Sequence, residues 1–101
     1  MADKEYAFAN IGDGIQLVAA AGTAEALSAT SVACRLVVVQ ARPENTNDVV
    51  VGASTVVAAS GTRRGITLSP GQSAEFHVKD VSSLYVDAET NGEGVSYVYF
   101  W

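Results

Sequence analysis

One cysteine, one histidine and one methionine are spread over the 101 residues. A single thiol closes no internal disulfide, and one imidazole with one thiol gives no cluster at zinc-ligand spacing. Basic residues are also few. Lys and Arg total 6 against 11 Asp and Glu, for a net charge of −5. A protein that coats DNA or RNA needs a basic stripe to displace counterions, so no direct nucleic-acid partner is expected. Long apolar runs are missing too. The stretch from Ile15 to Ala21 is interrupted by Gln16 and stops at Gly22, far short of the ~20 residues that cross a bilayer. Acids flank Lys4 near the start, unlike the positive opening of a secretory signal, so neither a membrane partner nor export is expected. Prolines number two, and no low-complexity linker or internal repeat divides the chain.

The residues that are present favour a packed all-β domain. Hydrophobic residues reach 49% and charged residues only 17%, which excludes a disordered chain. The length suits one domain with one core. Val is nearly as common as Ala and Leu is scarce, a balance that fits pleated, half-buried surfaces. Turn signals recur at short intervals: Gly12-Asp13-Gly14, Ala21-Gly22-Thr23, Pro43 to Asp48, Gly52, Ser60-Gly61, Ser69-Pro70-Gly71, Asp80 to Ser83 and Asn91 to Gly94. That punctuation predicts a single antiparallel β-sandwich, jelly-roll-like or Ig-like, over residues 13–101, preceded by a loosely structured arm over 1–12.

Strands are predicted over Ile15–Ala20, Leu27–Thr30, Val32–Arg42, Val49–Gly52, Thr55–Ala58, Gly65–Leu68, Ser73–Lys79, Leu84–Ala88 and Val95–Phe100. Ser73–Lys79 alternates cleanly, with Ala74, Phe76 and Val78 inward and Ser73, Glu75, His77 and Lys79 outward. The next strand repeats the pattern with Leu84, Val86 and Ala88 inward and Tyr85 and Asp87 outward. Asn91-Gly92 is a type I′ signal and predicts a hairpin between the strands around Val86 and Tyr97. The Ala-rich stretch 19–29 has room for one helical turn, though Gly22 and Thr23 weaken a longer helix. Cys34, set between Ala33 and Arg35 in an apolar strand, is expected as a small buried hydrophobe.

Two strands are apolar on both faces. Around Val32–Ala41 one face carries Val32, Cys34, Leu36 and Val38, and the other Val37 and Val39. In the last strand Val95, Tyr97, Tyr99 and Trp101 alternate with Val98 and Phe100. A sandwich covers one face of each sheet, so the second face needs a cover. The expected cover is another copy of the chain, through Val37, Val39, Tyr97, Tyr99, Phe100 and Trp101, the alternative being that the terminal aromatics fold into the chain's own core.

Catalytic patterns are thin. His77 could recruit Ser73 or Ser82 with Asp80 or Asp87, but no Gly-x-Ser-x-Gly elbow supports it. As a metal ligand, with Glu75 or Asp80, His77 lacks a second nitrogen or sulfur partner. Asp87, Glu89 and Glu93 are candidate paired carboxylates, yet two of them flank a turn where solvated charge is ordinary. Asn45, Asn47 and Asp48 concentrate hard oxygen ligands suited to calcium, or cap their own backbone. Gly12-x-Gly14 lacks the third glycine of a dinucleotide fingerprint. The expectation is therefore a non-enzymatic protein without a cofactor or metal. Arg63-Arg64 forms a basic tip on an acidic molecule, suited to an acidic protein surface or left solvated.

From Val38 to Trp101, about two thirds of the chain, one ordered set of segments stands out. It runs Val39-Gln40-Ala41, Asn45-Thr46-Asn47, Val49-Val50-Val51-Gly52, Gly65-Ile66-Thr67-Leu68-Ser69-Pro70-Gly71-Gln72-Ser73, Leu84-Tyr85-Val86-Asp87-Ala88 and Gly94-Val95-Ser96-Tyr97-Val98-Tyr99. This set resembles small β-sandwich proteins of tailed-bacteriophage virions, of the capsid decoration (cement) type. The resemblance implies a structural protein made in the host cytoplasm and carried on the capsid exterior, where it bridges subunits of the major capsid protein. It implies a homotrimer. It also implies shell contacts, for which the candidates are Tyr6 and Phe8 in the arm and Arg63 and Arg64 at the basic tip. A tail, baseplate or fibre component of the same fold is the alternative. A carbohydrate-binding module, presenting Tyr85, Tyr97, Tyr99 and Trp101 on one flat face, is a third reading.

Overall fold

The computed structural model describes residues 7–101. Eight strands make up the body: β1 Ile11–Leu17, β2 Glu25–Ala26, β3 Leu36–Ala41, β4 Val49–Gly52, β5 Ile66–Leu68, β6 Ser73–Phe76, β7 Tyr85–Ala88 and β8 Gly94–Phe100. A short 3-10 turn, Val81–Ser83, leads into β7. The strands form two four-stranded sheets, β1-β8-β3-β6 and β2-β7-β4-β5, antiparallel throughout. This interleaved order is that of a jelly roll, the first of the two sandwich types expected. Only β4 and β5 are consecutive in sequence and paired; each other connection crosses from one sheet to the other.

Val-rich inner faces close the sandwich. Val37, Val39, Ala41 and Val95 from the first sheet meet Val49, Val51, Val86 and Ala88 from the second. Val18, Leu27, Val81 and Leu84, from the connections, fill the ends. Val37 and Val39 are fully buried in this core, so they are not the contact residues expected from the sequence. Their neighbours Leu36 and Val38 hold the outward side of β3. Cys34 is buried as expected, and its thiol donates to the Val78 carbonyl at 3.2 Å.

The expected C-terminal hairpin does not form. β7 pairs with β2 and β4, whereas β8 pairs with β1 and β3. A type I′ turn needs positive φ at both central residues, and Gly92 has it at +84° while Asn91 does not. The Asn91 side chain instead accepts from the Ala21 N–H at 2.7 Å, and the segment arches from one sheet to the other. The Ser69-Pro70-Gly71 turn behaves as expected locally: Gly71 has φ +86°, and the Gln72 N–H donates to Ser69 at 2.8 Å.

Gly12-Asp13-Gly14 is not a turn. It lies within β1, whose strand starts at Ile11, ahead of the expected Ile15 and inside the segment assigned to the arm. A Cβ on Gly12 would land on the ring of Tyr99, and one on Gly14 on the ring of Tyr97. These tyrosines are the register partners of the two glycines on β8, and their rings fill the space the glycines leave open. Ala9 and Asn10 also bond to the Trp101 carbonyl, at 3.0 and 3.1 Å. The Ala-rich stretch makes a turn, closed by Thr23 N–H to the Ala20 carbonyl at 3.0 Å, rather than a helical turn.

Candidate functional site

The two sheets differ on their outer sides. On the second sheet, Val50, Tyr85 and Asp87 point away from the main core. The chain covers them with its own loops. Val56 and Ala58, from the connection between β4 and β5, pack with Val50 into a second small core, joined by Ala24 and Tyr85. Asp87 was expected to face solvent and is instead 1% exposed. Its carboxylate accepts from the backbone N–H groups of Gly22, Ala58 and Ala88, each at 2.9 Å. One side chain thereby pins two loops and satisfies donors that burial would otherwise leave unpaired.

Arg63 secures the same cover from its outer edge. Its Nε donates to the Ala58 carbonyl at 3.0 Å, Nη1 meets Asp48 at 2.9 Å, and Nη2 meets Glu89. A guanidinium so occupied clamps the loop, while Arg63, expected from the sequence as a shell contact, stays at the surface. Arg64 is exposed, and its backbone bridges to Val57.

The remaining candidate chemistry is likewise committed to structure. Burial works to raise the Glu93 carboxyl, and the donors from Thr46 (N–H at 2.6 Å and hydroxyl at 2.8 Å) and Asn47 (N–H at 3.1 Å) outweigh it, leaving Glu93 below its ordinary value. Asn45 exchanges hydrogen bonds with Gly94, and Asn47 donates to Thr90. With Asp48 on Arg63, the three oxygen-rich residues proposed for calcium each hold a separate part of the loop. Asp80 caps the turn before β7. The Ser31 hydroxyl first, then the Val32 N–H at 3.0 Å and the N–H and hydroxyl of Ser82, hold its carboxyl far below the usual range. His77 is exposed beyond β6. Among the described residues, no three His, Cys, Asp or Glu side chains converge as a metal site.

The outer side of the first sheet is different. Strand alternation puts Ile11, Asp13, Ile15 and Leu17 of β1 beside Val98 and Phe100 of β8, then Leu36, Val38 and Gln40 of β3, then Glu75 of β6. Ile11 is 66% exposed, Ile15 59% and Leu17 40%. A shallow depression between Val38, Gln40, Ser73, Ser96 and Val98 runs along its middle. No described loop crosses this face. At one end Phe8 packs on Phe100, ring centroids 5.5 Å apart, and Arg35 lies 5.3 Å from the Phe8 ring centroid.

The expected contact residues therefore separate. Phe8 and Phe100 belong to the open face. Tyr97 and Tyr99 point to the core side, half-buried, with Trp101 stacked on Tyr99 at 5.4 Å and 40% exposed. Burial, with smaller contributions from Tyr99 and Asp13, pushes the Tyr97 phenol up. Tyr85 sits on the other sheet, so the four aromatics do not share one flat face. Tyr6 lies outside the described residues. The face was missed because the two apolar sides of β3 look alike in sequence, and because Gly12-Asp13-Gly14 hid β1.

Comparison with known proteins gives no relative: the chain matches no family model, no curated protein and no solved structure.

Proposed function

We propose that this chain is a non-enzymatic virion structural protein of the capsid-decoration type, which seats the outer face of the β1-β8-β3-β6 sheet on the shell and bridges capsid subunits. The carrying observation is that open apolar face, on a molecule that covers the equivalent side of its other sheet. Apolar patches rimmed by polar residues are what contact surfaces look like. The jelly-roll order is used by many viral structural proteins, which adds support by analogy of fold alone.

Size decides how the face would work. The four strands, of seven, seven, six and four residues, make on the order of 400 Å² of flat sheet. That is roughly half of the 800 Å² each partner gives to an ordinary stable interface. A single copy holding on by this face is a weak binder, and firm attachment needs further contacts. Phe8, at the end of the face, is placed to add one.

Quantitative mass spectrometry of purified virions, scaled to the major capsid protein, tests this reading. A copy number that is a simple fraction of the capsid subunit is expected. A few copies per particle would move the chain to the tail or a fibre, and absence would overturn both virion assignments.

A further inference from the structure

Of the four sheet edges that the described strands form, three are short. β2 has two residues, β5 three and β6 four. Short edges are one of the ordinary defences against unwanted strand pairing. β1 is seven residues long and contains no proline, lysine or bulge. No described residue pairs with its outward side.

The ladder shows which groups that edge offers. Asn10 and Trp101 exchange both backbone bonds, at 3.1 and 3.2 Å, and Val18 donates to Glu93 at 2.9 Å. Antiparallel pairs alternate between bonded and non-bonded, so Gly12, Gly14 and Gln16 spend their backbone groups on β8. The N–H and C=O groups of Ile11, Asp13, Ile15 and Leu17 therefore point to the free edge. Among the described residues, only the Leu17 carbonyl has a partner there, the Gln16 side chain at 2.8 Å, and a carbonyl has a second lone pair.

We propose that the β1 edge pairs with β1 of a second copy, antiparallel and centred on Gly14, to give a twofold dimer with one continuous eight-stranded sheet. The register is self-complementary: Ile11 faces the partner's Leu17, and Asp13 faces the partner's Ile15. Every outward N–H finds a carbonyl. Centring on Asp13 would set two carboxylates directly opposite each other, which costs stability. The Gly14 register leaves them diagonal. The pairing is twofold and differs from the threefold assembly that the sequence resemblance implies. It does not rest on the virion reading. If that reading holds, the dimer doubles the open face to on the order of 800 Å², the size one partner gives to a standard interface.

Sedimentation equilibrium of the full chain, from roughly 10 μM to 1 mM, tests the pairing without any shell. A monomer–dimer equilibrium is expected. Ile15→Pro should abolish the dimer and leave the monomer folded, because the N–H it removes faces the free edge. Ile15→Glu places a second acid opposite Asp13 without touching the backbone, and should also abolish it. Asp13→Asn removes the diagonal repulsion and should tighten association about threefold. A wild-type chain that stays monomeric throughout, a trimer, or a dimer that forms equally well in both Ile15 variants would overturn the proposal.

Discussion

The outer sides of the two sheets began with the same problem and met it differently. Both carry apolar side chains that a two-layer sandwich leaves uncovered. On the β2-β7-β4-β5 sheet, the connection after β4 folds back over Val50, and Asp87 and Arg63 fasten it. On the β1-β8-β3-β6 sheet, Ile11, Ile15 and Leu17 stand in the open. Among the described residues, the chain builds a cover for one face and leaves the other open. The proposed function rests on that difference.

That contrast can be broken at its strongest point. Asp87→Ala leaves three N–H groups without their acceptor beneath the covered face, and should cost about 3–4 kcal/mol. Chemical denaturation measures it, and hydrogen exchange should rise first in residues 53–65. Asp87→Asn keeps one oxygen and should cost less. Next comes Arg63→Ala, which frees the outer edge of the same cover and should cost about 1–2 kcal/mol. Arg63→Lys should not restore it, because one ammonium cannot reach the Ala58 carbonyl, Asp48 and Glu89 together.

On the bare sheet, Gly14→Ala drives a methyl into the Tyr97 ring and should cost about 1–2 kcal/mol through displaced packing. Normal stability would show that the ring moves freely and that the glycine has no packing role. Asp80→Asn should lower the thermal midpoint at neutral pH. The Asp80 carboxyl is depressed in the folded state, so its contribution is present above the unfolded carboxylate value, about 4. It is lost as pH falls further toward the folded value. The gap between variant and wild type should therefore narrow below about pH 4. The smallest effect on stability is expected from Ile15→Lys, within about 0.5 kcal/mol of wild type, together with a loss of shell binding. A large loss of stability would mean that the face is part of the fold rather than a contact surface.

Much of the sandwich was legible in the chain. Val49–Gly52 is a strand as predicted, and Ala74, Phe76 and Val78 face the core from an alternating segment. The failures came where distant residues decide the outcome. Asn91-Gly92 carries a hairpin signal, yet the flanking strands find better partners in opposite sheets. Gly12 and Gly14 look like a turn until Tyr97 and Tyr99, more than eighty residues away, fill the space above them. Val37 and Val39 cannot be told from Leu36 and Val38 by period, because both sides of β3 are apolar. Asp87 alternates as a surface residue, and only a loop of small side chains folding over it makes it a buried acceptor. The candidate site was the least legible part, since whether a sheet face is covered depends on where distant loops fold.

The account turns on which outer face meets a partner. Hydroxyl-radical footprinting of the protein free and mixed with the virions proposed to carry it, read by mass spectrometry, addresses that directly. Protection on binding is expected at Ile11, Ile15, Leu17, Val98 and Phe100, with Tyr85 and Val56 unchanged. Protection over residues 53–65, with the β1-β8-β3-β6 face as reactive as in the free protein, would contradict it.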